Sequence, residues 1–254
     1  MLPVQSDDSL VLPPPPVLEA GAALFLDFDG TLVPLTDVPD AVQVDPDLHT
    51  LLDRLSDALQ GRLAIVSGRS IATLRDNFGL SHLRLAGTHG LEFAEPNEAP
   101  RTPLRLEEVN AAEARLHAFA DDKPGLLVER KSISVGIHFR RAPHWGDACA
   151  ALCAALASET GLFLQAGKMA FELRPGGADK GTALAALMES PAMRGGTPVF
   201  IGDDVTDEEG FIAATAHGGF GILVGELRAT AAQWHLEQVA AVRHYLGESA
   251  DRIG

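Results

Sequence analysis

The sequence has few cysteines, little positive charge and no long apolar run. Cys149 and Cys153 are its two cysteines, four residues apart in an alanine-rich stretch. That spacing suits neither a disulfide framework nor a zinc site. We therefore expect two small buried thiols in a reducing compartment, and a cytoplasmic protein.

Positive charge is scarce, with 20 Lys and Arg against 35 Asp and Glu and a formal net charge of -15. This balance argues against nucleic acid or an anionic membrane surface as a partner. It does not exclude a phosphorylated small molecule, because a metal ion and a few local cations can override the overall field. No apolar run approaches the length needed to cross a membrane, so we expect no membrane partner.

The first 20 residues include Asp7, Asp8 and the run Pro13 to Pro16, and they lack the basic and apolar regions of a signal peptide. We predict that residues 1–20 are a flexible leader.

Strands and helices alternate near both ends of the chain. Apolar runs predict buried strands at Ala22–Leu26, Leu63–Val66, Leu83–Ala86, Thr197–Ile201 and Gly219–Val224. Helical spacing of apolar residues lies between them, and a last helix is predicted over Thr230–Leu246. This alternation predicts an α/β core with a doubly wound parallel sheet, which we assign to residues 21–102 and 177–254.

The pattern differs between residues 103 and 176. There, consecutive strands are separated by short turns, as in Gly125–Lys131 followed by Ser132–Phe139. Short turns favour antiparallel pairing, so we predict a smaller inserted α+β domain. Gly176 and Gly177 are expected to form a hinge back to the core.

Polar residues form four clusters. Three of the clusters follow predicted parallel strands, and the fourth lies at the start of a predicted helix. They are Asp27-Phe28-Asp29-Gly30-Thr31, Ser67-Gly68-Arg69, Lys180-Gly181 and Gly202-Asp203-Asp204-Val205-Thr206-Asp207. Each alone is a weak signal, since Ser-Gly-Arg is often a turn and Asp-Asp often caps a helix. Together they predict one ligand site, because the carboxyl ends of parallel strands meet at one sheet edge.

This set of residues suits phosphoryl transfer. Asp27 and Asp203 could offer carboxylate oxygens to Mg²⁺, which also binds phosphate oxygens. Lys180 would neutralise charge on the nucleophile and the transferred group, and Ser67 would donate a hydrogen bond to a phosphoryl oxygen. Gly30 would let backbone amides approach the phosphate.

The four clusters resemble the motifs of the haloacid dehalogenase superfamily, whose phosphatases form an aspartyl-phosphate intermediate. The resemblance implies a Rossmannoid core, Asp27 as the nucleophile, and Asp29 as general acid and then general base. It implies Mg²⁺ bound by the Asp27 side chain, the Asp29 carbonyl oxygen and Asp203, with Asp204 or Asp207 supplying or orienting further ligands. The inserted domain lies where this superfamily places one type of cap.

Further stretches are similar to those of trehalose-6-phosphate phosphatases, namely residues 87–92, 128–132, 138–140 and 167–175. By that family's pattern, Glu129, Lys131 and Glu172 hydrogen-bond the hydroxyls of the distal glucose. From the residues alone, Glu129 and Lys131 could equally be an exposed ion pair, and Glu172 could simply face solvent.

We further expect substrate contacts from residues near the phosphate. They are Thr31, Gly68, Arg69 and His89. Arg69 could instead cap the sheet edge, and His89 and His138 could be structural histidines. A charge at a helix N-terminus remains the alternative for Asp207.

The resemblance implies an Mg²⁺-dependent phosphoric monoester hydrolase that converts trehalose 6-phosphate to trehalose and phosphate. It further implies a cap that closes over the substrate and a functional link to a trehalose-6-phosphate synthase. The alternatives are a phosphatase for another sugar phosphate, such as sucrose phosphate or mannosyl-phosphoglycerate, and a regulatory module that binds phosphate without turnover.

Overall fold

The structure, a computed structural model, describes residues 11–35, 44–101, 106–130, 133–167 and 169–254. These residues form two compact units, with the chain up to Pro100 and from Asp179 to Gly254 in the larger and Arg101–Ala178 in the smaller. Within the described ranges, no helix is both long and apolar enough to cross a membrane.

The described residues form eleven strands and seven longer helices. The strands are β1 (Ala22–Leu26), β2 (Leu63–Val66), β3 (Arg84–Gly87), β4 (Glu92–Ala94), β5 (Leu127–Arg130), β6 (Val135–His138), β7 (Leu162–Gly167), β8 (Ala170–Pro175), β9 (Thr197–Gly202), β10 (Phe220–Val224) and β11 (Trp234–Leu236). The helices are α1 (Pro46–Ala58), α2 (Ile71–Asp76), α3 (Leu106–Ala120), α4 (Gly146–Thr160), α5 (Lys180–Met188), α6 (Glu208–Ala216) and α7 (Val239–Ile253).

The larger unit contains a seven-stranded sheet in the order β11-β10-β9-β1-β2-β3-β4. Neighbouring strands pair in parallel except β3 and β4, which are antiparallel. Alternate residues of β1 enter different cores: Leu24 packs in the cluster that includes Leu52 of α1 and Leu246 of α7, and Phe25 packs in the cluster that includes Leu184 of α5. Helices therefore cover both faces, and the predicted doubly wound α/β sheet is confirmed.

The C-terminal segment differs from its prediction. We predicted one helix over Thr230–Leu246, but Trp234–Leu236 is a strand and the helix runs from Val239 to Ile253. Trp234 pairs with Ile222 of β10, and its ring packs edge-on against Phe220 at 6.2 Å. This sheet contact outweighs the helical pattern of the local sequence.

Part of the predicted leader contacts the core. The Pro13 carbonyl accepts a hydrogen bond from His235 N at 3.0 Å, and the Pro16 carbonyl accepts one from the Tyr245 hydroxyl at 2.8 Å. The Leu18 side chain is buried in the core that contains α7. Residues 13–18 are therefore attached to the larger unit, in contrast to the flexible leader that we predicted.

The smaller unit has an antiparallel sheet in the order β5-β6-β8-β7, with α3 and α4 packed on one face. Val135, Ile137 and Leu173 point into that core with Cys149 and Cys153 of α4. Both cysteines are free and buried, as predicted, and burial raises the pKa of the Cys153 thiol to about 12. The antiparallel pairing expected between residues 103 and 176 is present.

Gly221 of β10 leaves room for the aromatic side chains that pack beside the central strands. A Cβ there would lie 2.6 Å from Phe211, which packs edge-on against Phe200 of β9. We expect Gly221→Ala to lower the free energy of unfolding by about 1–3 kcal/mol, because the aromatic pair would have to shift. Urea denaturation measures this change.

Gly247→Ala in α7 is the matched control, because a Cβ at that helical position meets no atom within 4 Å. We expect it to stabilise the fold by about 0.5–1 kcal/mol through the higher helix propensity of alanine. Equal effects of the two substitutions would contradict this account of the packing.

Candidate active site

The ends of β1 and β9 bring the first and last polar clusters together. These strands pair in register up to Leu26 and Ile201, and the Asp27 amide continues the ladder by donating to the Ile201 carbonyl at 2.9 Å. The side chains after both strands therefore emerge at the same edge of the sheet. Asp27, Asp203 and Asp207 have carboxylate oxygens within 4.8 Å of one another.

Lys180, the first residue of α5, lies between two of these carboxylates. Its Nζ donates to Asp27 Oδ1 at 2.7 Å and to Asp207 Oδ1 at 2.6 Å, and all three residues are buried. Burial alone would lower the pKa of Lys180, but the two carboxylates outweigh it and raise this pKa above its ordinary value. Lys180 is therefore a permanent cation in this site.

The three carboxylates carry more negative charge than one lysine can neutralise. Burial raises the pKa of Asp27 to about 6, although Lys180 opposes the shift. Burial also raises the pKa of Asp207 to about 7 and raises that of Asp203. A cluster of this kind favours a further cation, and it could hold a metal ion.

Both carboxylate oxygens of Asp207 accept hydrogen bonds from protein groups. Oδ1 accepts from Lys180, and Oδ2 accepts from the backbone amides of Asp203 and Asp204 at 3.1 and 2.9 Å. Asp207 thus connects the lysine to the loop that carries Asp203. Asp207 also has the N-terminal role of its alternative interpretation, since its contact with the Asp204 amide is part of a capping box, but that role does not account for its contact with Lys180.

Asp204 does not join the cluster. Its side chain caps the following turn by accepting from Val205 N at 2.7 Å, and it is exposed. It is not among the carboxylates that come within 4.8 Å of one another.

Gly30 permits the close approach of the first and fourth clusters. Its φ is +83°, and a Cβ would lie 2.0 Å from Asp203 Oδ2. Only glycine fits there without displacing the carboxylate. The neighbouring Thr31 hydroxyl is buried and lies 3.5 Å from Asp203 Oδ1.

Arg69 holds Asp29 through two hydrogen bonds. Its Nε and Nη2 donate to the two carboxylate oxygens at 2.6 and 2.7 Å, and its guanidinium stacks over the Phe78 ring at 5.0 Å. The second cluster therefore contacts the first. Both oxygens of the Asp29 side chain accept hydrogen bonds in this arrangement.

Two loops carry the remaining predicted contacts, Ser67, Gly68 and His89. Ser67 is buried, and its hydroxyl accepts from Arg69 N at 3.1 Å. The Ser67 carbonyl accepts from His89 N at 3.0 Å, and a Cβ at Gly68 would lie 2.8 Å from the His89 ring. His89, with a φ of +56°, is thus packed directly on the loop of the second cluster.

The predicted sugar-binding residues lie in the smaller unit. Glu129 and Glu172 each pair with Gly136, on opposite sides of β6, and therefore share one face of the sheet. That face is opposite the one that buries Val135 and Ile137. Lys131 lies outside the described residues.

Arg228 is a residue that the sequence analysis missed. Its Nη2 donates to the backbone carbonyls of Asp203 and Asp204 at 3.4 and 2.8 Å, and its guanidinium also pairs with Glu208. It follows β10, whose carboxyl end lies at the same sheet edge, and this topological position was the available signal. No motif marks it.

Solved structures of known proteins have the same fold. The trehalose-6-phosphate phosphatase of Aspergillus fumigatus, in crystal form 3, matches with a TM-score of 0.67 and 27% identity over 93% of this chain and 99% of that one. A haloacid dehalogenase-like hydrolase from Bacteroides thetaiotaomicron matches with a TM-score of 0.62 over 92% of this chain and 99% of that one. Its 16% identity makes this a likeness of fold, and the predicted haloacid dehalogenase-like core is confirmed.

Sequence comparison gives a more specific result. The chain is 36% identical to the trehalose-6-phosphate phosphatase of Escherichia coli strain K12 over 234 residues, which are 91% of this chain and 87% of that protein. The family model described as Trehalose-phosphatase matches residues 25–240. The chain therefore belongs to the trehalose-phosphatase family.

Proposed function

We propose that this protein hydrolyses trehalose 6-phosphate to trehalose and phosphate by transferring the phosphoryl group to Asp27. The observation that carries the proposal is the buried Lys180 between Asp27 and Asp207, beside Asp203. Such a site can neutralise a phosphate ester while keeping one carboxylate ionised for attack. The relative from Escherichia coli, named a trehalose-6-phosphate phosphatase, supports the choice of substrate.

Asp27 is the proposed nucleophile. The residue is 4% exposed, so its carboxylate is poorly hydrated, and Lys180 stabilises the ionised form. Lys180 would also offset the charge of the incoming phosphoryl group, and the Ser67 hydroxyl would donate to one of its oxygens. Thr31 and Gly68 are proposed to contact the phosphate from the adjacent loops.

Asp29 is the proposed general acid and base. Both of its oxygens accept hydrogen bonds from Arg69, so the carboxylate must leave this arginine and take up a proton from solvent before it can donate that proton to the leaving oxygen. Arg69 and His89 are proposed to contact substrate once that exchange has occurred.

Mg²⁺ fits the donor set, which consists only of oxygens around Asp27 and Asp203. These two side chains and the Asp29 carbonyl are proposed to hold it, with Asp207 orienting the loop of Asp203. When bound, the ion would stabilise negative charge on the transferred phosphoryl group. Asp204 is exposed, so we propose for it no more than a contact in the outer coordination shell of the ion.

The smaller unit is proposed to be a cap that selects the sugar. Glu129 and Glu172 are carboxylates on one sheet face and could accept hydrogen bonds from the hydroxyls of the distal glucose, with Lys131 as a third contact. We place the cap at residues 103–176. A trehalose-6-phosphate synthase would supply the substrate.

Phosphate release from trehalose 6-phosphate, with and without Mg²⁺, tests the proposal. We expect turnover that needs the ion and exceeds turnover of glucose 6-phosphate and sucrose 6-phosphate. Equal turnover of glucose 6-phosphate would count against a disaccharide phosphatase. Absence of turnover on every ester, with retained phosphate binding, would favour the regulatory module instead.

Replacement of the nucleophile should separate catalysis from folding. We expect Asp27→Asn to lower kcat for trehalose 6-phosphate by about 10⁴-fold or more, because an amide cannot accept the phosphoryl group. Steady-state phosphate release measures this, with thermal unfolding as the check on the fold. Asp57→Asn, an exposed position on α1, is the control and should retain full activity; a D27N enzyme that turned over normally would exclude this nucleophile.

Mg²⁺ binding should depend on pH, because the ion competes with protons for the carboxylates. The pKa values of Asp27 and Asp207 are raised to about 6 and about 7, so both tend to be protonated in the metal-free protein at lower pH. The apparent dissociation constant for Mg²⁺ should be larger at about pH 5 than at about pH 8, by about tenfold or more. Isothermal titration calorimetry measures it.

The control for this titration is Asp203→Asn, which should weaken Mg²⁺ binding at both pH values. An affinity that is the same at both pH values in the unmodified protein would argue against a carboxylate site.

A further inference from the structure

β6 is the central strand between the two carboxylates that we propose bind sugar hydroxyls. Gly136 pairs with Glu129 of β5 on one side and with Glu172 of β8 on the other. Ser134, Gly136 and His138 are each two residues apart, so they lie on the same sheet face as the two glutamates. We call Ser134, Gly136 and His138 the β6 triad.

Two members of the β6 triad hold the glutamates. His138 Nε2 lies 2.8 Å from Glu129 Oε2, and the Ser134 hydroxyl donates to Glu172 Oε1 at 2.5 Å. Ser134 is only 1% exposed, so its hydroxyl is committed to a protein partner instead of water. One oxygen of each glutamate is therefore fixed by a side chain of β6 or of Ser134, the residue directly before it.

Nothing in the backbone requires glycine at the third position. Gly136 does not have a positive φ, unlike the ten glycines that do. A Cβ there would lie 3.5 Å from the Phe171 carbonyl and 3.7 Å from His138 Nε2, which are ordinary contact distances. Glycine weakens a strand interior, so its presence in the middle of this sheet needs another explanation.

We propose that the β6 triad determines the specificity of the enzyme for its disaccharide. Ser134 and His138 are positioning residues that fix the orientation of Glu172 and Glu129. Gly136 keeps the space between the two carboxylates free of a side chain, so that a sugar ring can reach both. This inference rests on the proposed function and adds to it the residues that set the geometry of sugar binding.

A series of substitutions at Gly136 tests the steric part of the inference. The measured quantity is kcat/KM for trehalose 6-phosphate divided by kcat/KM for p-nitrophenyl phosphate, an ester that has no sugar. The protein has room for a methyl group at this position, but the methyl would occupy the space proposed for the sugar, so Gly136→Ala should already lower this ratio by about threefold. Gly136→Val, whose branches reach toward His138 and between the glutamates, should lower the ratio by about tenfold or more, mainly through KM.

Ala154→Val is the control, because Ala154 is an exposed residue of α4, on the opposite side of this sheet from the two glutamates. It should retain the ratio of the unmodified enzyme. An equal loss in A154V, or a G136V protein that folds and keeps its ratio, would overturn the proposal.

Hydrogen-bond variants test the positioning part. His138→Ala and Ser134→Ala should each lower the ratio by about tenfold, the effect of one hydrogen bond to a charged group. His138→Gln, which keeps a donor of similar reach, should recover most of the loss. A structural role alone predicts that H138A and H138Q fail together, and thermal unfolding of each variant identifies that outcome.

A different result would contradict the proposed function. If the unmodified protein does not favour trehalose 6-phosphate over glucose 6-phosphate, the choice of substrate is wrong. If it does, and the triad variants keep that preference, only the role of the triad is wrong.

Discussion

The active site depends on one buried interaction, the contact of the Lys180 ammonium with the Asp27 and Asp207 carboxylates. Burying a charge without a partner is costly, so these three side chains have to lie together wherever the sheet edge brings them. The cluster still carries excess negative charge, because Asp203 lies within reach of the same oxygens. Charge balance therefore links the stability of this edge to the cation binding and the phosphoryl transfer that we propose.

The loops around this interaction are held by backbone contacts as much as by side chains. Asp207 fixes the amides of Asp203 and Asp204, and Arg228 fixes their carbonyls. The loop that carries Asp203 is thus held at both its backbone donors and its backbone acceptors, which limits the movement of Asp203. Such second contacts orient the groups that touch an ion and tune their affinity for it.

The smaller unit has a different proposed role, the recognition of an uncharged sugar. Its sheet buries apolar side chains against α3 and α4 and places carboxylates on the other face. Alternation along β6 then gives Ser134 and His138 access to the glutamates on both neighbouring strands. Side chains alternate between the two faces of a strand. This alternation gives the sheet both its apolar core and the polar face that we propose selects the substrate.

The sequence alone determined the types of most elements, the doubly wound core and the convergence of the four polar clusters, because strand ends and apolar periodicity are local properties. Tertiary structure decided what depends on distant partners. Trp234 lies in a strand because it pairs with β10. The Asp204 side chain caps a turn, whereas the Asp207 side chain binds Lys180. Neither the place of Arg228 nor the spacing of Glu129 and Glu172 across Gly136 can be read from one chain segment, because each is set by strand pairing between residues far apart in sequence.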